Sequence, residues 1–138
     1  MNAREYSEAY IRNMVALCMR PKQKKIEHFG GGELLVLGFL SYYDSLSPKE
    51  LSQATGASTA HVAKTLRNLE AKGEIRRLPD PTDARKKVVS LTEMGRERME
   101  RARAEILEDL DQLMEALGEE DAAQLVRLSR RMAVLSGK

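Results

Sequence analysis

Only one cysteine, Cys18, occurs in the 138 residues. No internal disulfide can form, and without a Cys-x-x-Cys pair or a His/Cys cluster a zinc ribbon or finger is excluded. That usage suits a reducing cytoplasm, the expected location. Aromatics make up 4% of the chain while Gly and Pro are ordinary, apolar residues reach 42% and charged ones 32%. This balance favours a helix-rich globular chain over a disordered or collagenous one and suggests neither a sandwich nor a barrel. The most apolar run, Leu34 to Tyr43, is about half of what a membrane span requires, and the charged N-terminal turns (Arg4, Glu5, Glu8, Arg12) predict no signal peptide.

Catalytic equipment is also scarce. There are two histidines, His28 in an expected loop and His61 on an expected helix face, and no paired acids flank an apolar pocket. No catalytic set, metal site or cofactor is expected. Gly30 to Gly32 lack the lysine-hydroxyl ending and preceding strand of a phosphate loop, so they read as a linker.

What is present is an uneven distribution of charge. The net charge is only +2. From Gly56 to Ser90, however, eight basic residues stand against four acids, whereas Ala104 to Gln124 hold eight acids and no Lys or Arg. The first stretch attracts polyanions and the second repels a phosphate backbone, so two tasks are divided between two regions.

Periodicity supplies the elements. Tyr6, Tyr10, Met14 and Leu17, with Ile11, Val15 and Cys18, form a broad apolar stripe that predicts a first helix over Asn2 to Arg20, closed by Pro21. A basic, then Gly-rich connection leads to ELLVLGFLSYY, a second helix expected to be buried nearly all round. Ser47-Pro48-Lys49-Glu50 is a capping box with proline at the first position, opening a short third helix to about Ala54. Thr55-Gly56-Ala57 is a tight turn, Ser58 caps a fourth helix, and Gly73 ends it. On that helix Val62, Leu66 and Leu69 share one side; Ala60, Lys64, Arg67 and Asn68 lie opposite, with His61 at their flank.

EIRRLP and KVVSL then read as two strands joined by DPTDAR, a hairpin with its positive charge toward the tip. Thr92 caps a long helix to about Leu117, carrying Met99, Ala102, Ile106, Leu110, Leu113 and Leu117 at three- and four-residue steps. Gly118 breaks it, and a last helix repeats the pattern with Leu125, Leu128, Met132 and Leu135. At roughly 35 Å the long helix exceeds what a helix-turn-helix unit can cover. The simplest remedy is a homodimer in which the first and the last two helices interleave, with Tyr10, Met14, Leu110, Leu113, Leu117, Leu125, Leu128, Met132 and Leu135 in the interface.

A helix-turn-helix followed by a basic hairpin is a winged helix. Its second helix fits a major groove, and a tip arginine suits a narrow minor groove. Ser58, Thr59, Ala60, His61, Lys64, Arg67 and Asn68 are the candidate reading residues. Asp83, Arg85, Lys86 and Lys87 are the candidate wing contacts, with Asp83 expected to orient the Arg85 guanidinium as a forked acceptor.

The string DPTDARKKVVSLTEMG resembles the wing signature of the MarR family of transcriptional regulators through Asp83, Arg85, Leu91 and Thr92. HVAKTLRNLEAKGEIRR is similar to that family's recognition helix through Val62, Leu69, Glu70, Gly73 and Arg77. The resemblance implies a mainly α fold with a β-hairpin wing. A lobe over 33–92 would bind DNA and a helical dimerisation region would span 1–29 and 93–138. It further implies a homodimer on a pseudo-palindromic operator, most often a repressor released by a small-molecule effector or by oxidation. Arg85 would then be the minor-groove arginine. Two departures stand out: Ala63 where a hydroxyl residue is frequent, and Glu74 where an apolar residue usually follows the glycine, which bears on how the wing strand starts. Cys18 is a candidate oxidant sensor on the resemblance, but its place beside an apolar stripe favours a buried core cysteine. The competing class is a winged helix used as an architectural DNA protein or a protein-interaction module, with little base preference.

Overall fold

The computed structural model describes residues 1–19 and 32–137. The elements are α1 (Ala3–Met19), α2 (Gly32–Tyr42), α3 (Pro48–Thr55), α4 (Thr59–Ala71), β1 (Ile75–Pro79), β2 (Lys87–Leu91), α5 (Glu93–Leu117) and α6 (Glu119–Gly137). Arg20, Pro21, His28, Gly30 and Gly31, on which part of the sequence reading fell, lie outside the described residues. Gly32, expected in a linker, is instead the first residue of α2.

Local chemistry sets the starts and stops. At α3 the capping box is complete: the Glu50 amide donates to Ser47 Oγ at 3.0 Å and the Ser47 amide to Glu50 Oε1 at 2.9 Å. At α4 the His61 amide donates to Ser58 Oγ at 3.1 Å, and at α5 the Gly95 amide donates to Thr92 Oγ1 at 3.2 Å. Gly73 sits at φ 74°, a left-handed conformation in which glycine carries no Cβ penalty, and this turns the chain from α4 into the wing.

β1 and β2 pair antiparallel with Ile75 opposite Leu91 and Pro79 opposite Lys87. The hairpin is extended by a bridge the sequence pattern did not announce. Leu46 and Val89 exchange backbone hydrogen bonds of 3.1 and 2.8 Å, tying the segment before α3 to the wing.

The core lies inside this lobe. Leu37, Leu51, Leu66, Leu69, Val62 and Val89 are fully buried, joined by Leu34, Val36, Leu40, Ile75, Leu91 and the N-terminal half of α5 through Met99 and Ala102. At roughly 1.5–3 kcal/mol per fully buried aliphatic side chain, these dominate the lobe's stability. α2 is buried less completely than its composition suggested: Tyr42, at its end, and Tyr43 beyond it are exposed.

α1 and α6 contain no buried residue at all. The apolar stripe on α1 was expected to be covered by a second copy; in the single chain Tyr6, Tyr10, Ile11, Met14, Val15 and Leu17 are exposed. Cys18 is exposed with them, which corrects the expectation of a core cysteine: among the described residues of one chain nothing is laid over that stripe.

Candidate nucleic-acid interface

α4 presents two unlike faces because its 3.6-residue period puts Val62, Thr65, Leu66 and Leu69 on one side, all buried. Ser58, Thr59, Ala60, His61, Lys64, Arg67 and Asn68 are all exposed along the other. Lys64 and Arg67 form no ion pair among the described residues, so both charges are available to an outside anion. Arg77, by contrast, is held by Glu70, its Nε donating to Oε1 at 3.2 Å.

His61 differs from its neighbours. Its Nε2 lies 3.9 Å from where a Cβ on Gly32 would stand, so the ring leans over the start of α2 beside Thr65. There it lines a small cleft of about 100 Å³ bounded by Gly32, Leu35, Val36, Thr55, Ala57 and Val62.

At the wing, two aspartates knit the tip. Asp80 Oδ1 accepts from the Thr82 amide and hydroxyl, each at 2.8 Å, and these bonds, with the Lys86 charge nearby, hold the Asp80 carboxyl below its ordinary pKa. Asp83 accepts from the Arg85 amide at 3.1 Å and is gripped by its guanidinium, Nε to Oδ1 at 3.1 Å and Nη2 to Oδ2 at 3.5 Å. The Arg85 side chain is nevertheless 91% exposed. Its direction is thus set by a neighbour while its donors remain open to solvent. Lys86 and Lys87 are exposed beside it.

The residues expected in a dimer interface separate into two sets. Tyr10, Leu125, Leu128, Met132 and Leu135 meet around an open apolar groove of about 760 Å³ between α1 and α6, together with Tyr6 and Ile11. Met14, Leu110, Leu113 and Leu117 do not line it.

One cluster escaped the sequence reading. Arg98 Nη1 lies 2.8 Å from both Glu33 Oε1 and Glu74 Oε1, and Lys72 Nζ adds 2.7 Å to Glu33. Burial works to raise the Glu33 pKa, but hydrogen bonds from Lys72 and Arg98, reinforced by their charges, bring it below the ordinary 4.5. Glu74, whose charge bore on the start of the strand, is buried by this pairing, and β1 begins regularly at Ile75. The only advance signal was a charged residue between a helix-ending glycine and an apolar strand. Among the described residues no group of three or more His, Cys, Asp or Glu is arranged to hold a metal.

Helix, turn, helix and basic hairpin in this order define a winged helix-turn-helix, a fold built to present one helix and one loop to a duplex. A family model described as the MarR family matches residues 30–86. The uncharacterized HTH-type transcriptional regulator YdgJ of Bacillus subtilis (strain 168) is 32% identical over 100 residues, 72% of this chain and 60% of that protein's length. The match thus spans less than two thirds of this curated relative. A mutant of MepR from S. aureus is 26% identical, the match covering 98% of this chain and 100% of that one with a TM-score of 0.61. The regulator BldR from Sulfolobus solfataricus has a TM-score of 0.71 over 97% of this chain and 99% of that one; at 16% identity it speaks for the fold alone. Over residues 30–86 the chain matches the MarR family, and its relatives in sequence and fold are winged helix-turn-helix transcriptional regulators. Regulators of this family bind DNA and act as homodimers.

Proposed function

We propose that this chain is a sequence-specific regulator that binds a pseudo-palindromic operator as a homodimer, acting as a cytoplasmic repressor released by a small-molecule effector. The observation that carries it is the two-faced α4, core on one side and the exposed Lys64 and Arg67 on the other, followed within the same lobe by the Asp83-oriented Arg85. In this reading 33–92 is the DNA-binding lobe and 1–29 with 93–138 the dimerisation region. Ser58 to Asn68 face the major groove, with Lys64 and Arg67 on phosphates and the N-terminal residues nearest the base edges. Arg85 enters the adjacent minor groove, where narrow A·T-rich tracts concentrate negative potential, while Lys86 and Lys87 strengthen attraction to the backbone. His61 stands at the flank of this face, its ring beside Gly32 at the start of α2.

The acids from Glu105 to Asp121 would repel a phosphate backbone and suit the part of the dimer that DNA does not touch. The groove between α1 and α6 is filled by a second copy, which also covers Cys18's neighbours.

Selection of binding sites from random duplex DNA tests the proposal. A pseudo-palindrome with half-sites about one helical turn apart is the expected outcome. Enrichment of no sequence would replace the operator reading with the architectural one.

A further inference from the structure

Glu74 joins the reading helix to the wing and is fixed on three sides. Its amide donates to Leu69 O of α4 at 2.9 Å, its carbonyl accepts from the Thr92 amide at 3.1 Å, and its carboxylate takes Arg98 at 2.8 Å. Gly95 of α5 packs so closely on the Glu74 carbonyl oxygen that a Cβ there would overlap it. Arg98 then reaches Glu33 at the start of α2, which in turn holds Lys72 at the end of α4. One guanidinium therefore pins the first turn of α2, the end of the reading helix and the root of the wing to a single turn of α5.

The burial of this set is hard to explain by stability. Side-chain exposures of 16% for Arg98, 9% for Glu74 and 23% for Glu33 mean that three charges have lost most of their water. The desolvation cost of such groups commonly equals or exceeds their attraction, and well-packed apolar replacements are often neutral or stabilising. What an ion cluster supplies and a greasy contact does not is direction: a single guanidinium nitrogen, Nη1, donates to both carboxylates, and hydrogen bonds hold only over a narrow range of angles.

Direction matters here because α5 is a lever. From Arg98 to the end of the helix at Leu117 is roughly 28 Å at 1.5 Å per residue, so a tilt of about 10° displaces the far end by about 5 Å. That exceeds one base-pair step of about 3.4 Å. On the reading that this is a dimeric operator binder, we propose that Arg98 is a positioning residue: by clamping Glu33 and Glu74 to α5 it sets the spacing between the two reading helices, and so the half-site spacing that the dimer accepts.

The test compares the full-length protein with Glu74→Leu/Arg98→Leu, which removes the clamp but leaves an apolar pair and keeps Glu33 with Lys72. Binding is measured to the selected operator, to versions with one base pair added or removed between half-sites, and to non-specific duplex of equal length. Expected for the double variant are a thermal midpoint equal to or above that of the unaltered protein, unchanged non-specific affinity, and about five- to tenfold weaker operator binding. Its preference for the native spacing over the altered ones should fall by a similar factor. Arg98→Lys, which keeps the charge without the planar guanidinium, should fall between; should the double variant fail to fold, it carries the same test. Equal affinity and an equal spacing ratio would overturn the inference, as would losses that track thermal stability. If the unaltered protein selects no sequence, it is the operator reading that fails, a result distinct from either.

Discussion

The lobe and the α1/α6 layer are built from helices with comparable apolar stripes, yet they meet water very differently. In the lobe Leu37, Leu51, Leu66 and Leu69 are completely enclosed, whereas Leu125, Leu128, Met132 and Leu135 of α6 are all exposed, Leu135 at 70%. The lobe closes because α2, α3, α4, the hairpin and the first turns of α5 surround one another within a single chain. α1 and α6 form at most two sides of a groove, and an amphipathic helix with no third partner leaves its stripe in solvent. The same pattern in sequence thus marks a finished core in one region and, in the other, an uncovered stripe that the dimer reading gives to a second chain.

The sharpest way to break that comparison is to truncate an apolar side chain in each region. Leu66→Ala should cost about 2–5 kcal/mol in urea or thermal unfolding, the range for enclosed leucines. Leu135→Ala, measured at protein concentrations low enough to keep the chain monomeric, should change stability by less than about 0.5 kcal/mol. Equal costs would mean that α6 is part of the folded monomer's core.

Charge placed in the groove asks the complementary question. Leu128→Asp should weaken self-association by at least about 2 kcal/mol, the scale of a central interface residue, while leaving the lobe's near-native spectrum intact. Sedimentation over a dilution series reads this directly, and an unchanged dissociation constant would remove the α1/α6 groove from the dimer interface.

Within the lobe, the wing provides a smaller and more specific effect. Arg85→Ala should weaken operator binding by about 1–3 kcal/mol and relax preference at the flanking positions, whereas Lys86→Ala should mainly lower the salt slope by about one. Unchanged affinity of Arg85→Ala at physiological salt would sink the minor-groove role.

Much of the lobe could be read from sequence because its signals are local. Ser47, Ser58 and Thr92 announce helix starts through bonds spanning three residues, and Gly73 announces a left-handed turn through its lack of a Cβ. The Asp83–Arg85 grip spans two residues and was equally visible. What escaped was long-range. Arg98 and Glu33 are 65 positions apart, and nothing in the spacing of either links them. The Leu46–Val89 bridge is a single pair without an alternating run to mark it. Cys18 was misjudged for a related reason: periodicity reports which residues share a face and says nothing of whether that face is covered by the same chain.

The smallest predicted effect concerns acid, and it falls where the long helix joins the lobe. Glu33 has its pKa lowered in the folded state: burial opposes this, and hydrogen bonds from Lys72 and Arg98 overcome it. A carboxyl whose folded pKa is depressed contributes stability that is fully present above its unfolded value of 4.5 and disappears as pH falls through the lower folded value. Glu33→Gln should therefore cost less than about 1 kcal/mol at neutral pH, as befits a group still partly in contact with water. That cost should shrink below pH 4.5, where the unaltered protein begins to take up the proton too. Denaturant melts of both proteins between pH 3 and 7 give the difference directly. A gap that stays constant across that range would mean that Glu33 acts through packing alone, and that the joint between lobe and long helix owes nothing to its charge.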